Sequence, residues 1–266
     1  MHMPPNMFKQ ALAQRRTQFG LFMGLANPIS AEILATCGYD FLLIDAEHGL
    51  NDTRSVQAQL QAMAPHPVQC LVRPASHDPA LIKQLLGTGV QTLLVPMVDT
   101  AEQARAVVAS MHYPPKGIRG VGTGLERGSR WNAISDYFTQ VSDNLCLIVQ
   151  IESRTALENL DDIAAVEGVD AVFIGPSDLA ASLGHLGQIS HPEVKAAIAD
   201  ALARISASGK VAGIFCADAT QAASFQDSGA SFLAMGADTG LLRSAAIKLL
   251  DSLPPRSGGG AVSAGY

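Results

Sequence analysis

Short apolar runs rich in β-branched residues recur along the chain: Phe19–Leu25, Phe41–Asp45, Gln69–Pro74, Thr92–Met97, Leu145–Glu152, Ala171–Pro176, Val211–Cys216 and Phe232–Gly236. Each is apolar at consecutive positions, as a strand covered on both faces must be. Between the runs lie stretches with helical spacing: SAEILATCG, DPALIKQLLGTG, TAEQARAVVASM, TALENLDDIAAVEG, HPEVKAAIADALARISASG and ATQAASFQDSG. Several begin after Asp, Ser or Thr, which cap a first turn, and several end in Gly, a common helix stop. Eight strands alternating with helices predict an α/β fold closed into a (β/α)8 TIM barrel. The alternative is an open doubly wound sheet. It usually carries a Gly-rich turn after its first strand, and GLANPIS is not one.

The length of 266 residues fits one such barrel. Residues 1–255 are read as a single catalytic domain and 256–266 (RSGGGAVSAGY) as a flexible tail. The segment Tyr113–Asn144 exceeds a simple connection and contains YPPKGIRGVGTG, so it reads as an elaborated loop on the active face.

Composition narrows the functional classes. The hydrophobic fraction is 48%, enough for a full core, and charged residues are only 16% against an ordinary share of about 25%. The formal net charge is -6, and no run of Lys and Arg appears. A nucleic-acid partner or an anionic membrane surface therefore has no electrostatic basis. No apolar run reaches the length of a membrane span. The opening MHMPPNMFKQALAQRR lacks a signal peptide's pattern, so the expected location is the cytoplasm. Cys37, Cys70, Cys146 and Cys216 form no CxxC pair and read as structural thiols.

In a barrel the chemistry sits at the C-terminal ends of the strands. Four runs end in polar residues: Asp45, Glu47 and His48 after the second, Arg73 after the third, Gln150 and Glu152 after the fifth, Ser177 and Asp178 after the sixth. Taken singly, a carboxylate there often caps a helix, and Asp178 in PSDLAASLG fits that reading. Together they form a charged set on one rim. Glu152 and Asp178 offer oxygen ligands suited to Mg²⁺, Mn²⁺ or Co²⁺, with positions left for water and substrate. Such an ion can chelate a 2-oxo acid and act as a Lewis acid. Arg73 can absorb developing negative charge, and His48 can move a proton near neutral pH. A Schiff-base mechanism lacks its amine, because none of the six lysines falls within a strand run.

The stretches FLLIDAEHG, LVRP, QTLLVPMV, YPPKGIRGVG, SRWN, VQIES, VEGVDAVFIGPSDLAASLG and SHPEV resemble the HpcH/HpaI aldolases over about Phe8 to Leu253. The resemblance implies a barrel of the phosphoenolpyruvate/pyruvate-domain type. It also implies metal-dependent aldol addition and cleavage of 4-hydroxy-2-oxo acids, through the enolate of pyruvate or hydroxypyruvate and an aldehyde. By the same resemblance His48 is the general base, Arg73 the enolate stabiliser, and Asp45 lies near the base and the aldehyde hydroxyl. Glu152 and Asp178 hold one divalent metal ion, with no organic cofactor. Gln150, Gly175, Pro176, Ser177 and Asp178 bind the 2-oxo acid, and Phe215 lines the aldehyde pocket. The implied assembly is a homo-hexamer, a trimer of dimers. Three positions depart from the family pattern: Gly87 replaces an Asp that raises the basicity of the His, Phe22 a Trp, and Phe215 a Leu. Two other readings remain: a citrate-lyase-like enzyme acting on acyl-CoA thioesters, and a non-catalytic barrel that binds a 2-oxo acid.

Overall fold

The computed structural model describes residues 1–254, so the tail expected at 256–266 lies outside the described residues. Eight strands close into a parallel barrel in chain order: β1 (Gln18–Met23), β2 (Phe41–Asp45), β3 (Gln69–Arg73), β4 (Thr92–Val95), β5 (Cys146–Ile151), β6 (Ala171–Ile174), β7 (Val211–Phe215) and β8 (Ala230–Ala237). All eight correspond to the runs read from the sequence. The helices are α1 (Met7–Ala13), α2 (Pro28–Ala35), α3 (Thr53–Met63), α4 (Pro79–Gly87), α5 (Ala101–Met111), α6 (Tyr137–Asn144), α7 (Arg154–Glu158), α8 (Leu160–Ala164), α9 (Pro176–Ser182), α10 (Pro192–Ala207), α11 (Ala222–Asp227) and α12 (Asp238–Asp251). Among the described residues no helix is long and apolar enough to cross a membrane.

Strand side chains alternate between the barrel interior and the helix layer. The inward rows include Phe41 and Leu43, Leu71, Cys146 and Ile148, Phe173, and Phe232, which form one apolar cluster. Large rings fit because small residues face them. A Cβ on Gly20 would strike the ring of Phe41, and one on Gly213 the ring of Phe232. Helix α1 plugs the N-terminal end, where Phe8 packs edge-on against Phe41 and Phe232 at 5.3 and 5.7 Å. The outward rows pack on the helices through a second cluster of Leu, Val and Ile.

The segment Tyr113–Asn144 lies on the rim opposite the one expected. It follows α5 and precedes β5, and a connection from helix to strand runs along the N-terminal rim. There it meets the chain start: the Met1 amino group donates to the Ala133 carbonyl at 3.2 Å, and the Met3 N–H to Asp136 at 3.0 Å. Arg119 is buried in this segment, pairs with Glu126 at 3.1 Å and stacks over the Tyr113 ring at 4.6 Å. Gly87 ends α4 on the same rim, where a Cβ would lie 3.3 Å from Glu126 Cγ. Within one chain, position 87 is therefore remote from His48.

Helix α12 stands apart. Only Asp238 of its residues is buried, and Leu241, Leu242, Leu249 and Leu250 face outward.

Candidate active site

The inward rows turn polar as they reach the C-terminal rim. Leu43 is followed two residues on by Asp45, Leu71 by Arg73, and Ile148 by Gln150 and then Glu152. Asp45 and Arg73 are register partners on β2 and β3. Their side chains form a two-pronged pair, Arg73 Nε and Nη2 donating to Asp45 at 2.9 and 2.8 Å. Both residues are about 95% buried (6% and 5% exposed), so the pair is strongly coupled. Burial pushes the Asp45 carboxyl up, but the hydrogen bonds and charge of Arg73 outweigh it and hold it below the ordinary carboxylate range. Asp45 also accepts the N–H groups of Glu47 and His48 at 3.1 and 3.4 Å, which fixes the turn after β2. With these bonds made, Asp45 is an anchor for the guanidinium.

Arg73 Nη1 lies 3.0 Å from Glu47 Oε2 and donates to Gln150 Oε1 at 3.4 Å. The Phe22 ring covers the guanidinium, 4.8 Å from Cζ to centroid. Gln150 bridges the set, because its amide nitrogen donates to Glu152 Oε2 while its oxygen faces Arg73. Glu152 Oε1 accepts the Met97 N–H at 2.8 Å. Met97 adopts φ +53°, a left-handed conformation rare for a side chain of this kind, and this aims its N–H at the carboxylate. Gly175 is required for space: a Cβ there would lie 2.5 Å from Glu152 Oε2 and 2.7 Å from Gln150 Nε2.

Negative charge exceeds positive in this cluster. Asp45, Glu47, Glu152 and Asp178 face one guanidinium. Burial, opposed by the Met97 N–H and reinforced by Glu47 and Asp178, pushes the Glu152 carboxyl up to about 7. Burial also raises Glu47, against the pull of Arg73. Glu47 Oε2 is buried, and despite its nearness to Arg73 it receives no directed hydrogen bond. Carboxylates that act on one another across this floor, one with an orphaned oxygen, have the donor chemistry of a hard divalent cation, although Glu47, Glu152 and Asp178 are not drawn into one tight cluster. Asp178, in the first turn of α9, is exposed to the cleft, and Pro176 and Ser177 precede it on the same wall.

The cleft above this cluster has a volume of about 770 Å³. It is lined by Asp45, His48, Arg73, Gln150, Gly175, Pro176, Ser177, Asp178 and Phe215 among others, so all the expected site residues except Glu152 line it. Glu152 lies beneath the others, 2% exposed. His48 is solvent-exposed, with its ring Nε2 3.7 Å from Glu47 Oε2. Phe215 packs edge-on against Phe22 at 5.3 Å. Sequence reasoning places Glu47 on the rim, in the IDAEHG strand end, as a group that with Asp45 could compensate for Gly87, but not beside Arg73 as a potential metal ligand. Met97 carries no signal in sequence, since its part is played by a backbone N–H. A separate trio, His185 and His191 of the α9–α10 connection and Glu193 in the first turn of α10, gathers nearby, but its groups already engage one another. The two rings stack at 3.5 Å, His185 bonds Glu193 at 2.9 Å, and His191 caps α10.

The HpcH/HpaI aldolase/citrate lyase family profile matches residues 18–245. A hydroxypyruvate/pyruvate aldolase of Deinococcus radiodurans is 60% identical over 95% of this chain and 91% of its own length. A 4-hydroxy-2-oxo-heptane-1,7-dioate aldolase of Salmonella paratyphi B is 54% identical over 89% of this chain and 90% of its own. The crystal structure of an HpcH/HpaI aldolase/citrate lyase family protein from Burkholderia cenocepacia superposes with a TM-score of 0.90 at 38% identity, covering 92% of this chain and 98% of that one. By sequence and by fold, the chain belongs to the HpcH/HpaI aldolase/citrate lyase family.

Proposed function

We infer that the protein is a carbon–carbon lyase: an aldolase joining the enolate of pyruvate or hydroxypyruvate to an aldehyde and cleaving 4-hydroxy-2-oxo acids in reverse. The observation that carries this reading is Arg73, locked by Asp45 and roofed by Phe22, facing an open cleft beside an excess of carboxylates. Glu152 and Asp178, with Glu47 close by, would hold one divalent ion, Mg²⁺, Mn²⁺ or Co²⁺. When bound, that ion supplies Lewis-acid polarisation of the 2-oxo acid. Arg73 takes up the negative charge that develops on the keto oxygen, from a position its partners fix in advance. In aldol addition His48 takes the proton from the methyl carbon and returns it to the aldehyde oxygen; in cleavage it takes the proton of the 4-hydroxyl and returns it to the enolate carbon. Gln150 and the Gly175–Pro176–Ser177 turn orient the 2-oxo acid, and Phe215 faces the aldehyde.

Arg73 is the only Lys or Arg among the described residues lining the cleft. A CoA thioester would bring phosphates that need further cations, so the cleft favours small 2-oxo acids. The exposed leucines of α12 support assembly into a homo-oligomer, which we read as a trimer of dimers.

The test is exchange of the pyruvate methyl protons with deuterium, followed by NMR with Mn²⁺ or Mg²⁺ added. Exchange is expected in the native enzyme, with loss to background in Glu152→Ala together with loss of Mn²⁺ binding. A native enzyme that binds metal yet leaves the methyl group unexchanged would overturn the reading.

A further inference from the structure

A second cavity of about 480 Å³ lies beside the cleft, between α10 and α11. Its volume falls inside the roughly 300–1,000 Å³ range of small-molecule sites. Pro176, Ser177 and Phe215 line both cavities, so they form the wall between them. Pro176 and Ser177 are held by the first turn of α9, whereas Phe215 is the last residue of β7, with a side chain only half-buried. Behind this wall stand Ile189, Ile198 and Phe225, with the Cys216 thiol turned away toward the Asp218 carbonyl at 3.1 Å. One cation, Lys195, and one anion, Asp218, lie at the lining, and Thr220 and Gln221 already occupy the Asp218 carboxylate. The cavity therefore offers apolar walls and no net charge, unlike the acidic cleft in front of it.

We propose that this cavity is an annex of the acceptor site that receives the apolar tail of a long-chain aldehyde. The inference rests on the aldolase reading and adds the class of acceptor. In the step it serves, the enolate carbon bonds to the aldehyde carbon, the aldehyde C=O π pair passes to oxygen, and that oxygen takes up a proton. The reacting carbonyl stays in the cleft near Arg73 and His48, while the tail runs past Phe215 to lie against Ile198 of α10 and Phe225 of α11. An aldehyde of two carbons leaves the annex unfilled. Each methylene beyond the wall removes apolar surface from water, so kcat/KM rises with chain length.

The test is the rate of aldol addition to pyruvate for unbranched aldehydes from two to eight carbons. It is measured for the full-length native enzyme and for Ala199→Phe and Ser224→Phe, which fill the annex from opposite helices. In the native enzyme kcat/KM is expected to climb roughly three- to fivefold per methylene once the tail passes Phe215. In both variants the climb disappears and the two-carbon rate is retained. A flat series in the native enzyme, with the two-carbon aldehyde turned over, overturns the annex and spares the aldolase reading. A climb that survives both fillings overturns it equally. No addition to any aldehyde, short or long, removes the aldolase reading and the annex with it.

Discussion

Two buried arginines sit at opposite ends of the barrel in similar company. Arg73 at the C-terminal rim pairs with Asp45 and Glu47 under the ring of Phe22. Arg119 at the N-terminal rim pairs with Glu126 over the ring of Tyr113. Each is a guanidinium with an aromatic face and a carboxylate partner, yet their surroundings differ. Around Arg119 one guanidinium meets one carboxylate, with the Tyr137 hydroxyl 3.4 Å from Nη2, although the buried Nε has no partner among the described residues. Around Arg73 there are more carboxylates than one cation can neutralise, and a cleft opens above them. The pair alone does not mark a functional site. Uncompensated charge beside open space is what sets Arg73 apart, and it is the ground on which the proposed cation site rests.

The contrast is broken most sharply by removing each arginine in turn. Arg73→Ala is expected to slow pyruvate exchange by about 10²–10³-fold. Arg119→Ala should leave exchange intact and lower Tm by roughly 10 °C, since it strands Glu126 without its partner. Equal losses of activity from both, in a kinetic assay beside a thermal melt, would erase the distinction.

A second test uses pH. The ordinary value for Glu152 is 4.5 and its folded value is about 7. In the metal-free protein its contribution to stability is therefore complete below 4.5 and is lost as the pH climbs through 7. Mn²⁺ binding needs the ionised form, so affinity should fall about tenfold for each pH unit below 7. Calorimetric titration between pH 5.5 and 8 checks this, and a flat profile would show that the ion displaces no proton from Glu152. The smallest effect is expected from Phe22→Leu, which removes the ring over Arg73 and keeps an apolar roof. A cation–π contact of this kind is worth about 0.5–2 kcal/mol, so kcat/KM should drop by roughly two- to thirtyfold with metal affinity unchanged.

Much of this arrangement is legible in sequence, and the reasons are local. A strand covered on both faces must be apolar throughout, so all eight strands stand out, and the first polar residue after each apolar run marks the rim. That rule locates Asp45, Arg73, Gln150 and Glu152. It fails where the pattern is not local. Helix α3 buries Val56, Gln59, Leu60 and Met63 at helical spacing, but the polar Gln59 interrupts the apolar stripe in TRSVQAQLQAM. The pattern does not pick out helix α12, and among the described residues its leucines stay largely exposed. The 113–144 segment looks like an active-site loop by its Pro and Gly content, but its place after a helix decides its rim, and composition carries no record of that. The orphaned oxygen of Glu47 and the left-handed backbone of Met97 exist only once the barrel has closed.

Helix α12 has a consequence for how the protein behaves when diluted. A leucine-bearing helix that buries one residue of its own chain returns hydrophobic free energy only when another surface comes to meet it. In the homo-oligomer proposed above, resistance to heat becomes a property of the solution as well as of the fold, and concentrated samples are expected to melt later than dilute ones in a thermal scan.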